Sequence, residues 1–222
     1  MKQNRKETAW KKSRKFGDVK GGRKRVKLAD NIFKRYHSIE RPSRFDELPI
    51  YFKDNPSRDF FHPITIEEIQ DTIVKLEAED VAPITHIWLR KIKKTDFEKG
   101  ETYQSCFITW SGVNLIILNA FPKDLQMHFG TKPSQKVKKF YATWTDQWIE
   151  IDNKWYLKWT RESIKQYYLE HLILHEIGHL VDSQYSRFYS SAGFKKQEDF
   201  ANSYAVVWNQ KIKTELINEV QT

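Results

Sequence analysis

The pattern of elements predicts an α+β fold: a helix packed on a mostly antiparallel sheet, then a histidine-bearing helix and a C-terminal helix. Three observations carry this. Apolar residues recur at helical spacing from Thr65, strand-like runs separated by turn residues follow, and two more helix-patterned segments close the chain. A chain of 222 residues is long enough for one catalytic-sized core with an extension.

The extension comes first. Residues 1–35 hold fourteen Lys/Arg against three Asp/Glu, a net of +11; the whole chain is +9, so the remainder sums to −2. Dense like charge, few apolar residues and Gly21-Gly22 predict a flexible basic arm. Such an arm attracts nucleic acid or an acidic partner. Residues 36–63 read as an extended linker, in which Pro42, Pro49, Pro56 and Pro63 suppress regular structure while Phe45, Tyr51, Phe52, Phe60 and Phe61 need burial. Residues 64–222 form the main domain.

Within it, Thr65 can cap a helix whose first turn holds Glu67 and Glu68, and Ile66, Ile69, Ile73, Val74 and Leu76 recur at helical spacing before Pro83. Strands are expected at Ile84–Ile92, Tyr103–Trp110 and Val113–Phe121, the last two joined by a turn at Ser111-Gly112. A further hairpin is expected from Lys138–Ile151 and Trp155–Trp159, turning at Asp152-Asn153-Lys154. Trp144, Trp148, Trp155, Tyr156 and Trp159 alternate along it, which divides them between its two faces.

The next segment, residues 164–181, has no proline and puts Ile164, Tyr168, Leu172, His175 and His179 on one broad face. Within it, His175-Glu176-Ile177-Gly178-His179 is an HExxH match. At about 100° per residue, positions four apart return to one helix face, so both imidazoles can reach a single ion. Buried imidazoles without hydrogen bonds or a metal are costly, which favours a ligand role over two satisfied core histidines. Zinc is the expected ion, with Glu176 to the side as base toward a water. His171 extends the ladder but stands about 12 Å along the axis from His179, too far to share an ion whose ligand nitrogens lie within about 4 Å of one another. It is expected in the core or behind the ligands.

A third ligand is expected at Glu198, near the start of the last helical segment. Glu198, Ala201, Ala205, Trp208 and Ile212 share a stripe, and its alanines, facing Gly178, would let two backbones approach closely. The competing reading is a first-turn carboxylate favoured by the helix dipole, a role Asp199 would share. Asn202, one turn on, could hydrogen-bond a ligand histidine from behind.

HEIGHLVD followed by Glu198-Asp199-Phe200-Ala201-Asn202-Ser203-Tyr204-Ala205 resembles the gluzincin zinc metallopeptidases. It is most similar to the anthrax lethal factor-like peptidases, and second to ImmA/IrrE-type metallopeptidases. The likeness covers about thirty-five residues. It implies a zincin-like fold and a zinc endopeptidase acting on a protein or peptide, with His175, His179 and Glu198 as ligands to one Zn2+ and Glu176 as general base. Metzincins would carry glycine and histidine where this chain has Asp182 and Tyr185, which argues against that group. Asp182 is instead a candidate for a supporting role behind the ligands. The lethal factor-like pattern also implies a tyrosine that stabilises the oxyanion; Tyr189 is the preferred candidate and Tyr185 the alternative, though neither fits the family spacing well.

The alternative from another class is a nucleic-acid-associated protein that binds through residues 1–35 and keeps a zinc-binding fold for regulation. One cysteine, Cys106, excludes an internal disulfide framework. With no apolar signal region near the N-terminus, a cytoplasmic setting is expected, with non-classical export as the alternative. The longest apolar run falls short of the roughly 20 residues of a transmembrane helix.

Overall fold

The computed structural model describes residues 39–98, 103–110, 112–185 and 193–220, without the side chains of Tyr185 and of 215–220. The basic arm, and with it the expected contact to nucleic acid or an acidic partner, lies outside the described residues. In chain order come β1 (Ile50–Lys53), β2 (Phe60–Phe61), α1 (Ile66–Ile73), α2 (Ala78–Val81), β3 (His86–Arg90) and α3 (Lys94–Glu98). They are followed by β4 (Ser105–Trp110), β5 (Val113–Asn119), β6 (Phe121–Pro122), β7 (Gln126–Gly130), α4 (Gln135–Tyr141), β8 (Trp148–Ile151) and β9 (Lys154–Lys158). The chain closes with α5 (Arg161–Tyr167), a π-helical turn (Tyr168–Leu172), α6 (Ile173–Tyr185) and α7 (Phe194–Val220).

The class is α+β, as the sequence predicts, but the main sheet differs. Its order is β1-β3-β5-β4, and β1–β3 and β3–β5 are parallel; only the edge strand β4 runs antiparallel to β5. Two features account for this. The segment read as a linker supplies β1 as the opposite edge, and α3 with the β4–β5 hairpin returns the chain so that β5 enters beside β3 in the same direction. Gly112, at φ +82°, provides the left-handed position that the hairpin turn needs. The two smaller sheets, β2-β6 and β7-β9-β8, are antiparallel throughout.

Strand β5 is covered on both faces, so it reads as a continuous apolar run. Ile116 and Leu118 face a large core with Ile173, Leu174 and Ile177 of α6, while Leu115 and Ile117 face Ile39 and Trp88. Thr65 caps α1 in a reciprocal box: its hydroxyl accepts from the Glu68 N–H at 3.3 Å, and the Glu68 carboxylate accepts from the Thr65 N–H at 2.9 Å. The hairpin expected from Lys138 is shorter. Ser134 caps a helix through the Val137 N–H, so residues 135–141 are α4, and the strand begins only at Trp148. Its turn is where expected, with Asp152 and Asn153 both at positive φ, the signature of a type I′ hairpin. Among the described residues no helix is long and apolar enough to cross a membrane.

Candidate metal centre

The α6 helix is held in place before its histidines begin. The preceding π turn shifts the helix register, and fully buried Tyr168 donates its hydroxyl to the Asn119 carbonyl at the end of β5, 2.8 Å away. That bond anchors the N-terminal approach of α6 to the sheet. On its other side α6 packs against α7, with Ala201 and Ala205 at 0% exposure. The expected close approach is present: a Cβ added to Gly178 would lie 2.8 Å from the Ala201 Cα, nearer than such atoms pack. Glycine here is therefore a condition of the helix–helix distance.

At that distance Glu198 reaches both histidines. Its Oε2 lies 3.5 Å from His175 Nε2 and its Oε1 3.4 Å from His179 Nε2, while the two Nε2 atoms are 3.0 Å apart. These spacings fit a shared ion, since ligand atoms about 2.0–2.1 Å from a tetrahedral metal stand about 3.3 Å from one another. Among the described residues this is the one group of three or more His, Cys, Asp or Glu able to hold a metal ion. Glu198 sits in the second turn of α7, which begins at Phe194, rather than in the expected first turn. The helix-dipole explanation of this carboxylate is correspondingly weaker, because the effect fades beyond the first turn.

Electrostatics follow from the contacts. Hydrogen bonds from His175 and His179 lower the Glu198 carboxyl to about 2, so it stays ionised. Burial lowers the His179 pKa, but the Glu198 hydrogen bond and the charges of Glu176, Glu198 and Asp182 outweigh it, and the net shift is upward. Asp182 thus acts on His179 through its charge. Asn202 is half-buried one turn beyond Glu198, and no hydrogen bond joins its side chain to either histidine among the described residues. Tyr189 lies outside the described residues, as does the Tyr185 side chain.

Glu176 lies beside the three donors but outside their cluster, lining the same cleft. It is 4% exposed, and the Ser105 hydroxyl on β4 donates to its Oε1 at 2.6 Å. Burial raises its pKa against the opposing pull of that hydrogen bond and of the two histidines. His171 is no ligand. It stacks on Tyr167 at 5.6 Å, meets Phe140 edge-on at 4.9 Å, and burial with the nearby His175 lowers its pKa to about 3. It is a neutral core imidazole, as its spacing predicts.

The donors open into a cleft of about 660 Å3 between β4, α4 and the two helices. Ser105 and the mutually hydrogen-bonded phenols of Tyr141 and Tyr167 line it and were not legible in the sequence. Ser105 is 71 residues from Glu176, and no local spacing rule connects them. Cys106 also lines the cleft, but burial and the neighbouring Glu176 push its thiol up to about 11, so it is not a ready nucleophile. No known protein family, curated protein or solved structure matches the chain.

Proposed function

We propose that this chain is a zinc-dependent endopeptidase of zincin-like fold that cuts a peptide bond within a protein or peptide. The supporting observation is the meeting of His175, His179 and Glu198 beside a buried carboxylate, Glu176, that does not join them. Two imidazoles and one carboxylate form a donor set that zinc takes, and three protein ligands leave a position open, as catalytic sites require. A zinc ion held there would supply Lewis acidity, lowering the pKa of a water toward about 7 and polarising the scissile carbonyl.

The rest belongs to the chain's own residues. Glu176 accepts the proton of the attacking water and delivers it to the leaving amine. A buried carboxyl with a raised pKa suits both halves of that transfer. Ser105 occupies Oε1 and so fixes the carboxylate's orientation, leaving Oε2 for the water. Strand β4, which carries Ser105, is a sheet edge, and an extended substrate can add to it as a further strand alongside the cleft. An open edge lets the polypeptide continue in both directions, which is the requirement of an endopeptidase.

Cleavage profiling of the full chain on a diverse peptide library, with zinc, with chelator and with zinc restored, tests the reading. Cuts that vanish with chelator and return with zinc support it. A stoichiometric zinc complex that leaves every peptide intact overturns it in favour of a non-catalytic metal-binding fold.

A further inference from the structure

The three-stranded sheet has two different faces. Met127 and Leu157 turn into the core, whereas His128 and Tyr156, paired across β7 and β9, lie on the opposite side with their ring centroids 4.9 Å apart. That opposite side borders a second cleft of about 770 Å3, closed across from it by β2 and α3 and separate from the lining of the metal centre. Its apolar surface comes from Phe60 and Phe97, which meet edge to face at 5.6 Å. Aromatic groups on both walls suit a flat ring inserted between them.

Charge is distributed around the rim. Arg58, Lys94, Lys123 and Lys154 line the cleft with Asp59, Glu98 and Asp124. Two of the carboxylates are already engaged: Asp59 pairs with Lys94 at 3.5 Å, and Asp124 accepts the Gln126 N–H at 3.1 Å within its own turn. Arg58, Lys123 and Lys154 are exposed and form no ion pair among the described residues. Three uncommitted cations around an aromatic slot call for a ligand that is planar at one end and anionic at the other. Arginine adds a forked donor matched to phosphate oxygens. Glu98 at the rim can accept a hydrogen bond from a sugar hydroxyl.

We propose that this second cleft binds a nucleotide, its base against the His128–Tyr156 pair and its phosphate among Arg58, Lys123 and Lys154. The site stands apart from the metal centre and does not depend on peptidase activity.

Calorimetric titration of the full chain with AMP and ADP tests it, with adenosine and inorganic pyrophosphate as the two halves of the ligand. Saturable nucleotide binding, tighter than either half alone, is expected. Tyr156→Ala should weaken it about tenfold through lost stacking, and Tyr156→Phe should retain it, which separates stacking from any folding defect. Lys123→Glu combined with Lys154→Glu, both at exposed positions, should abolish the preference for nucleotide over nucleoside. His175→Ala should bind AMP normally. A short oligonucleotide forms a parallel arm: sensitivity to Tyr156→Ala for AMP alone assigns free nucleotide, and sensitivity for both assigns nucleotide units of a strand. Absence of saturable AMP binding, pyrophosphate binding as tight as ADP, or affinity unchanged in both the Tyr156→Ala and the double lysine variants overturns the proposal.

Discussion

The α6 helix meets its two neighbours in opposite ways. Against α7 the contact is small-residue packing, Gly178 on Ala201, and it brings one carboxylate to two imidazoles. Against β4 the contact includes a polar bond, Ser105 to Glu176, and it holds a second carboxylate beside the cluster but outside it. One helix thus carries two clustered imidazoles and a separate buried carboxylate, each held by a different neighbour. The two glutamates differ accordingly: Glu198, held by imidazoles, is lowered to about 2, and Glu176, held in the core, is raised. Metal binding and turnover should therefore be separable by mutation.

Glu176→Gln breaks the comparison most sharply. Turnover should fall by roughly 10²–10⁴-fold, the usual worth of a positioned acid–base group, while zinc content measured by atomic absorption stays stoichiometric. Loss of zinc in that variant would place Glu176 among the ligands and remove the distinction.

Gly178→Ala attacks the other side. Alanine gains up to about 1 kcal/mol of helix propensity over glycine, but its Cβ would meet backbone at 2.8 Å, and overpacking costs about 1–3 kcal/mol. Net destabilisation in denaturant titration is expected, with zinc affinity reduced as Glu198 is displaced. A more stable protein with unchanged affinity would show that the two helices can separate without cost to the site.

Ser105→Ala should lower kcat several-fold at unchanged zinc affinity, and Ser105→Thr should restore it, because only the hydroxyl orients Glu176. An effect on KM alone would instead assign Ser105 to substrate contact.

Acidification gives a smaller and graded effect. Ligands must be deprotonated to bind metal, and the His179 pKa is raised, so protons begin to compete above the ordinary histidine value and zinc affinity falls as pH drops through that raised value. Glu198, near 2, contributes nothing in that range. In Glu198→Gln the fall in affinity should move to lower pH, read by competition with a chromogenic chelator; a shift upward would contradict the assigned source of the perturbation. The smallest effect is expected for His171→Phe, which should leave zinc stoichiometry intact, because His171, although its ring lies 5.5 Å from that of His175, is not one of the three clustered donors.

Legibility in the sequence followed distance along the chain. The HExxH pair, the exclusion of His171 and the Glu198–Ala201–Ala205 stripe could be read because each is a relation within one helix, where 3.6-residue geometry fixes which side chains share a face. The Thr65 cap and the Asp152-Asn153 turn were readable for the same reason. Lys138–Ile151 misled because its aromatic and β-branched residues carry strand propensity, while the Ser134 cap starts a helix that ends at Tyr141 before the strand begins. The parallel pairing of β1, β3 and β5 left no local signal, since strand direction depends on how the intervening chain returns.

The sequence by itself determined the two imidazoles, the glutamate beside them, the small residues where α7 would pack and the carboxylate that could join them. The tertiary structure alone decided that Glu198 reaches the histidines, that Ser105 holds Glu176 by a hydrogen bond, and that a separate cleft with an aromatic wall and cationic rim lies on the outer face of the small sheet. The physical reason is that helical periodicity is set by local backbone geometry. A contact between α6 and β4, or a cleft shared by β9 and α3, exists only once hydrophobic burial has fixed where whole elements sit.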